Sequence, residues 1–138
     1  MKTKVYIAGK IGSELEFELL EKVDKICKEV GFETFLPHRD VGLVKGINDV
    51  DRIFNGDINT GFKDCNLIIA ILDGLHVGAG TAWELGYAYA NKIPAIGLKT
   101  DESVEESLDQ LSAILIGSMK IVSSLEELKE ELGKIKLI

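Results

Sequence analysis

Residues 66–88 read NLIIAILDGLHVGAGTAWELGYA, and two periodicities meet inside them. Leu67 to Leu72 is a continuous apolar run, as expected of a strand buried on both faces. Leu85, Ala88 and Tyr89 then recur at helical spacing. Gly74, Gly78, Gly80 and Thr81 lie between, so the chain turns sharply there and starts a helix. Glu84 is thereby placed in the first turns of a helix, above the end of a central strand. Open α/β sheets usually bind ligands at such ends.

The same alternation extends in both directions. Lys2 to Ala8 reads as the first strand, and Phe32 to Leu36 as the second, stopped by Pro37. Between them Leu15, Leu19, Leu20, Val23, Ile26, Cys27 and Val30 repeat at helical spacing. Ser13 with Glu16 resembles a capping box at the start of that helix, and Gly31 is its stop. His38 to Gly46 reads as a polar loop. Asn48 or Asp49 is expected to cap a helix through Val50, Ile53, Phe54, Ile58 and Phe62, weakened by Gly56 and Gly61. After the third strand and its helix, Ile93 to Leu98 reads as the fourth strand. Glu102 to Ile116 follows as an amphipathic helix through Val104, Leu108, Leu111 and Leu115. Met119 to Val122 is the fifth strand, and a last helix from Ser124 is expected to end near Gly133.

Strands alternating with helices in this way imply a parallel sheet covered on both faces. Right-handed crossovers favour a flavodoxin-like, doubly wound five-stranded sheet of order 2-1-3-4-5, as a single domain over residues 1–138. Its switch point lies between strands one and three. The loops there, Gly9–Ser13 and Asp73–Thr81, are the glycine-rich stretches of the chain.

Composition narrows the function. The 138 residues are 46% hydrophobic and 28% charged, enough for one core, and the formal net charge is −7. That balance argues against a nucleic-acid polymer as partner, which needs surplus Lys and Arg. No run of about 18 apolar residues points to a membrane span, and the N-terminus lacks a signal-peptide pattern, so a cytoplasmic protein is expected. Cys27 and Cys65 sit in apolar patterns without metal-ligand spacing. Neither GxGxxG nor GxxxxGK[ST] occurs, so a dinucleotide fold and a P-loop are disfavoured and no metal or cofactor is expected. The Gly9–Ser13 loop still offers backbone N–H groups to an anion at a helix N-terminus.

Taken from the residues alone, Glu84 is either a capping carboxylate or a reactive one. Its neighbours Ala82, Trp83, Leu85, Gly86 and Tyr87 limit its hydration, which suits covalent attack on an electron-poor carbon. Tyr6 is a packed strand aromatic or a hydrogen-bond donor, and Asp57 is helix surface or a second carboxyl. Asp73 forms a turn with Gly74 or meets a ligand. His76 reads as surface before ligand, Trp83 as core before stacking platform, and Ser112 and Ser118 as helix-surface and C-terminal capping serines.

The series Val5-Tyr6-Ile7-Ala8-Gly9, Asn55-Gly56-Asp57-Ile58, Leu67 to Gly74 and Gly80-Thr81-Ala82-Trp83-Glu84-Leu85-Gly86-Tyr87-Ala88 resembles the nucleoside 2-deoxyribosyltransferase family, which includes 2′-deoxynucleoside 5′-phosphate N-hydrolases. The resemblance covers almost the whole chain and is most specific in the GTAWELGYA block. It implies a flavodoxin-like enzyme that cleaves the N-glycosidic bond of a small 2′-deoxynucleoside or its 5′-monophosphate through a covalent glycosyl-enzyme intermediate. By this resemblance Glu84 is the nucleophile at C1′, Tyr6 orients it, and Asp57 assists the leaving base. Gly9, Lys10, Gly12, Asp73, Gly78, Gly80 and Ser112 are the positions expected to line the substrate. A homodimer or higher homo-oligomer is implied, since family members complete their sites across subunits.

The departures from the pattern bear on which reaction is run. Transferases carry an Asp six residues before the nucleophile, where this chain has Gly78, and a late Asn where it has Ser112. The hydrolases carry a serine at the position of Ser112, but their second phosphate-binding serine falls at Gly78. Their Arg-containing first loop is replaced by Lys10-Ile11-Gly12-Ser13, in which Lys10 supplies a charge. The spacing between Asp57 and Asn66 also differs from the usual pattern by one residue. These features lean toward a deoxynucleotide hydrolase, with base-exchanging transferase next and a non-catalytic nucleotide-binding module after it. A flavodoxin-like electron carrier is disfavoured, because the first loop lacks a hydroxyl-rich cradle.

Overall fold

The computed structural model describes residues 2–136. Five strands, β1 (Lys4–Ala8), β2 (Glu33–Phe35), β3 (Leu67–Ile71), β4 (Ala95–Leu98) and β5 (Lys120–Val122), form one sheet of order β2-β1-β3-β4-β5. Every neighbouring pair is parallel, as the expected order requires. Alternation along β1 divides the core. Val5 and Ile7 pack under α1 (Glu14–Val30) and α6 (Leu125–Lys136) with Leu20, Val23, Cys27, Leu128 and Leu132. Tyr6 and Ala8 face the other way, toward Phe62, Leu85, Ala88 and Leu111. The strand period of two therefore delivers the Tyr6 hydroxyl to the side carrying α4 (Ala79–Ala90).

The helix ends follow local chemistry. Ser13 caps α1, its side chain accepting from the Glu16 N–H, and Gly31 ends the helix at φ +100°. The Glu16 carboxylate accepts from the Gly12 N–H at 2.8 Å, one residue ahead of the expected capping box. Ser124 likewise accepts from the Glu127 N–H, and α6 then runs through Gly133 to Lys136 rather than stopping there. The first part of the expected polar loop is a short helix, α2 (Pro37–Asp40), held by Asp40 accepting from the Leu36 N–H.

Two expectations are corrected more substantially. The helix from Asp49 does not continue to Phe62: α3 (Val50–Phe54) gives way to a π turn over Asn55–Thr60. Gly61 explains the break, since a Cβ there would lie 2.6 Å from the Phe35 ring and 2.8 Å from the Tyr6 ring. The chain is drawn against these rings at a glycine, and the helix widens to reach them. The amphipathic helix expected over Glu102–Ile116 is also absent. A 3₁₀ turn at Glu105–Ser107 and the short α5 (Ala113–Ser118) stand in its place. Ser103, Ser107 and Ser112 each turn a side chain back on the local backbone or on a nearby carboxylate, which competes with helix continuation. Leu108, expected on the core face, is 66% exposed.

Candidate active site

A cleft of about 610 Å³ opens at the carboxyl ends of β1 and β3, the switch point of the sheet. Gly9, Lys10 and Ile11 form one lip, Gly78 to Glu84 another, and Val44, Val50, Ile53, Phe54 and Asp57 a third. The wall is mostly apolar, with a few polar groups converging on it, as small-molecule sites usually are.

Glu84 is held by a tyrosine. The buried Tyr6 hydroxyl donates to Glu84 Oε2, and the Tyr6 ring is clamped between Phe35 and Phe62, with centroids 5.3 and 4.0 Å away. Burial drives the phenol far above its ordinary range, and the Glu84 charge adds to this, so Tyr6 stays a neutral donor. Burial also pushes Glu84 up to about 7. The Tyr6 hydrogen bond opposes that shift, while the Asp57 charge reinforces it. Asp57, in the π turn, is pushed up to about 6 by burial against the pull of Arg52. Its Oδ1 is buried without a hydrogen-bond partner. The cleft thus pairs an oriented carboxyl with a second one that lacks a donor, a combination suited to nucleophile and general acid.

A family model described as nucleoside 2-deoxyribosyltransferase matches residues 5–123. The chain belongs to the nucleoside 2-deoxyribosyltransferase family. It is accordingly an enzyme of the nucleoside deoxyribosyltransferase class. No curated protein matches it. Solved structures share its fold, among them the following three. A conserved protein from Enterococcus faecalis V583 is 24% identical with TM-score 0.81, over 98% of this chain and 99% of the other. A 2-deoxyribosyltransferase from Bacillus psychrosaccharolyticus is 21% identical with TM-score 0.69, over 92% and 90%. A CMP N-glycosidase from Clostridium botulinum is 20% identical with TM-score 0.55, over 96% and 98%.

In this deoxyribosyltransferase-family chain Glu84, Asp57, Gly9, Lys10, Gly78 and Gly80 all line the cleft, with Tyr6 directly behind Glu84. The remaining expected substrate positions do not. The Gly12 N–H is taken by Glu16 at the start of α1. Asp73 accepts from the Thr100 N–H at 2.7 Å and from its hydroxyl, while Asp101 accepts from the Gly74 N–H at 2.8 Å. These ties bind the β3–α4 loop to the end of β4, so Asp73 is a brace in this chain. Ser112 caps the start of α5, accepting from the Ile114 N–H, rather than lying on a helix surface. It borders a separate hollow with Ala82, Gly86 and Tyr89.

Gly78 and Lys10 act together. A Cβ at 78 would lie 3.0 Å from Lys10 Cγ, so the missing side chain leaves room for the lysine stem. Sequence reasoning left several lining residues unassigned, Trp83 and His38 among them. Trp83, expected in the core, is 50% exposed and lines the cleft; its spacing with Gly80, Glu84 and Tyr87 on one helix stripe was the available signal. His38 also lines the cleft, with a buried Nδ1 that has no partner, and nothing in a polar loop pattern singles it out. Among the described residues no group of three or more His, Cys, Asp or Glu is placed to hold a metal ion. No helix among them is long and apolar enough to cross a membrane.

Proposed function

We propose that the enzyme hydrolyses the N-glycosidic bond of 2′-deoxynucleoside 5′-monophosphates through a covalent glycosyl ester on Glu84. The observation that carries this reading is the Tyr6–Glu84 hydrogen bond in the cleft, beside the unpartnered Asp57. Glu84 in its ionised form attacks C1′ as the C1′–N bond breaks, and the bonding electrons leave with the base. Asp57 in its protonated form gives its proton to the base nitrogen. Water then attacks C1′ and passes a proton to Asp57, which frees the sugar phosphate and restores the ionised Glu84. Tyr6 keeps the carboxylate aimed, and a fixed anion favours the oxocarbenium-like transition state.

Lys10 supports a phosphorylated substrate. Among the described residues its ammonium group has no hydrogen bond or ion pair, and its stem crosses Gly78 at the cleft lip. An unpaired cation at the rim of an acidic chain is suited to a 5′-phosphate. Base exchange is the second reading. The apolar cleft walls would limit water at the glycosyl ester, and Ser112 lies away from its own chain's cleft. A homodimer would let the partner's face approach that site, and the open hollow around Ser112, Gly86 and Tyr89 is the face we assign to it.

Incubation with dGMP, with deoxyinosine, and with deoxyinosine plus adenine separates the readings. The hydrolase releases guanine from dGMP, and Lys10→Met lowers kcat/KM for dGMP about tenfold with little change for deoxyinosine. Formation of deoxyadenosine with dGMP left intact overturns the hydrolase in favour of the transferase.

A further inference from the structure

Six aromatic rings run in contact from the sheet to the mouth of the cleft. Phe35 packs on Tyr6, Tyr6 on Phe62 and Phe62 on Tyr87, with centroids 5.3, 4.0 and 5.1 Å apart. Tyr87 then lies parallel to Trp83 at 5.6 Å with 10° between planes, and Phe54 meets Trp83 edge-on at 5.9 Å. The inner end of this series holds Glu84 through the Tyr6 hydroxyl. The outer end is not covered: Trp83 is 50% and Phe54 47% exposed, and both line the cleft. With Tyr87 stacked on the indole and Phe54 edge-on to it, half of the Trp83 surface still stays open. Gly80, one turn earlier on the same stripe, has nothing within 4 Å of where a Cβ would be, so no side chain fills the space before it.

We propose that Trp83, backed by Tyr87 and bordered by Phe54, is the stacking platform for the substrate's base and gives the enzyme a preference for fused-ring over single-ring bases. This rests on the N-glycosidase reading above. Large rings held open inside a cleft are unusual unless something flat covers them. Stacking grows with overlap, so a two-ring base gains more from an indole than a one-ring base does. A shared ladder of rings also fixes the platform relative to Glu84, so a stacked base would be held in register with the attacking oxygen.

Trp83 is the single tryptophan of the chain, so its fluorescence reports on this position alone. The experiment titrates Glu84→Gln protein with dGMP and with dCMP, and measures KM and kcat for both nucleotides in Trp83→Leu and Trp83→Tyr. The platform predicts saturable quenching, about tenfold tighter for dGMP. It also predicts a KM for dGMP raised about tenfold in Trp83→Leu, kcat changed much less, and recovery of most of the loss in Trp83→Tyr. Wild-type KM in Trp83→Leu overturns it, as does binding of both nucleotides without a fluorescence change. Fluorescence that responds to protein dilution but not to nucleotide assigns Trp83 to contact between copies, and also overturns it. If the wild-type enzyme releases base normally in either case, the N-glycosidase reading survives; if it releases none from any nucleotide or nucleoside, that reading fails by itself.

Discussion

The connection from β3 to α4 has two halves that do opposite things. Gly80 to Glu84 turns its functional groups to the cleft, with Glu84 held by Tyr6 and Trp83 open. Asp73 to Gly74, only a few residues earlier, turns its polar groups away and into the end of β4. The carboxylate of Asp101 is shared between the Gly74 N–H and the ammonium of Lys99, a side chain only 4% exposed. One half presents chemistry and the other holds it still. The lesson is that an acidic residue in a glycine-rich loop at a switch point is not thereby a ligand; what decides is where its partners lie.

Substitutions test that division most strongly at Glu84. Glu84→Gln is expected to lose about 10⁴-fold in turnover, measured as base release, because the nucleophile is gone. The same variant is expected to gain stability at pH 8. A carboxyl whose folded pKa is raised binds its proton more tightly when folded, so its favourable contribution is present at low pH and fades as pH rises through about 7. Above that, ionised Glu84 costs up to about 3 kcal/mol, which the neutral amide removes; urea unfolding at pH 6 and pH 8 checks the sign. Equal stability changes at the two pH values would contradict it.

Next in size is Tyr6→Phe, expected to lower kcat about 10²-fold by removing one oriented donor. Turnover needs Glu84 ionised and Asp57 protonated, so wild-type kcat/KM should fall on both sides of a maximum between about pH 6 and pH 7, and the limb at about pH 7 is the one set by Glu84. Without the Tyr6 hydroxyl that limb should move to higher pH, since the hydrogen bond is what lowers the Glu84 value. A pH profile unchanged by Tyr6→Phe would break the link between the two residues.

The brace gives the third effect, on stability rather than chemistry. Asp101→Ala leaves Lys99 buried without its partner and should destabilise by about 2–4 kcal/mol. Thr100→Val removes one hydroxyl bond to Asp73 and should cost about 1 kcal/mol. In both, KM for nucleotide should change less than tenfold at a temperature where the protein is folded. A large loss of binding with stability intact would return Asp73 and its partners to the substrate site.

Much of this was legible in the residues. The alternation along β1 assigns Tyr6 and Val5 to opposite faces, and Ser13, Gly31 and Ser124 mark helix ends by chemistry that acts within four residues. The GTAWELGYA block pointed to Glu84 and to the family. What was not legible depends on partners distant in sequence. The π turn carrying Asp57 exists because Gly61 meets rings from β1 and β2, and Asp73 bonds to a residue 27 positions later. The 102–118 segment has helical periodicity, but its serines bond locally and Leu108 faces solvent. Trp83 was misplaced because an apolar side chain on a helix beside a strand usually packs inward, and here the cleft keeps it open.

The central claim is that Glu84 becomes bonded to the sugar. Acid-quenching the wild-type enzyme during turnover of dGMP and weighing its peptides tests that directly. The peptide containing Glu84 should carry the mass of a deoxyribosyl phosphate, with guanine released. Turnover with that peptide unmodified, and an adduct on another residue instead, would contradict the assignment.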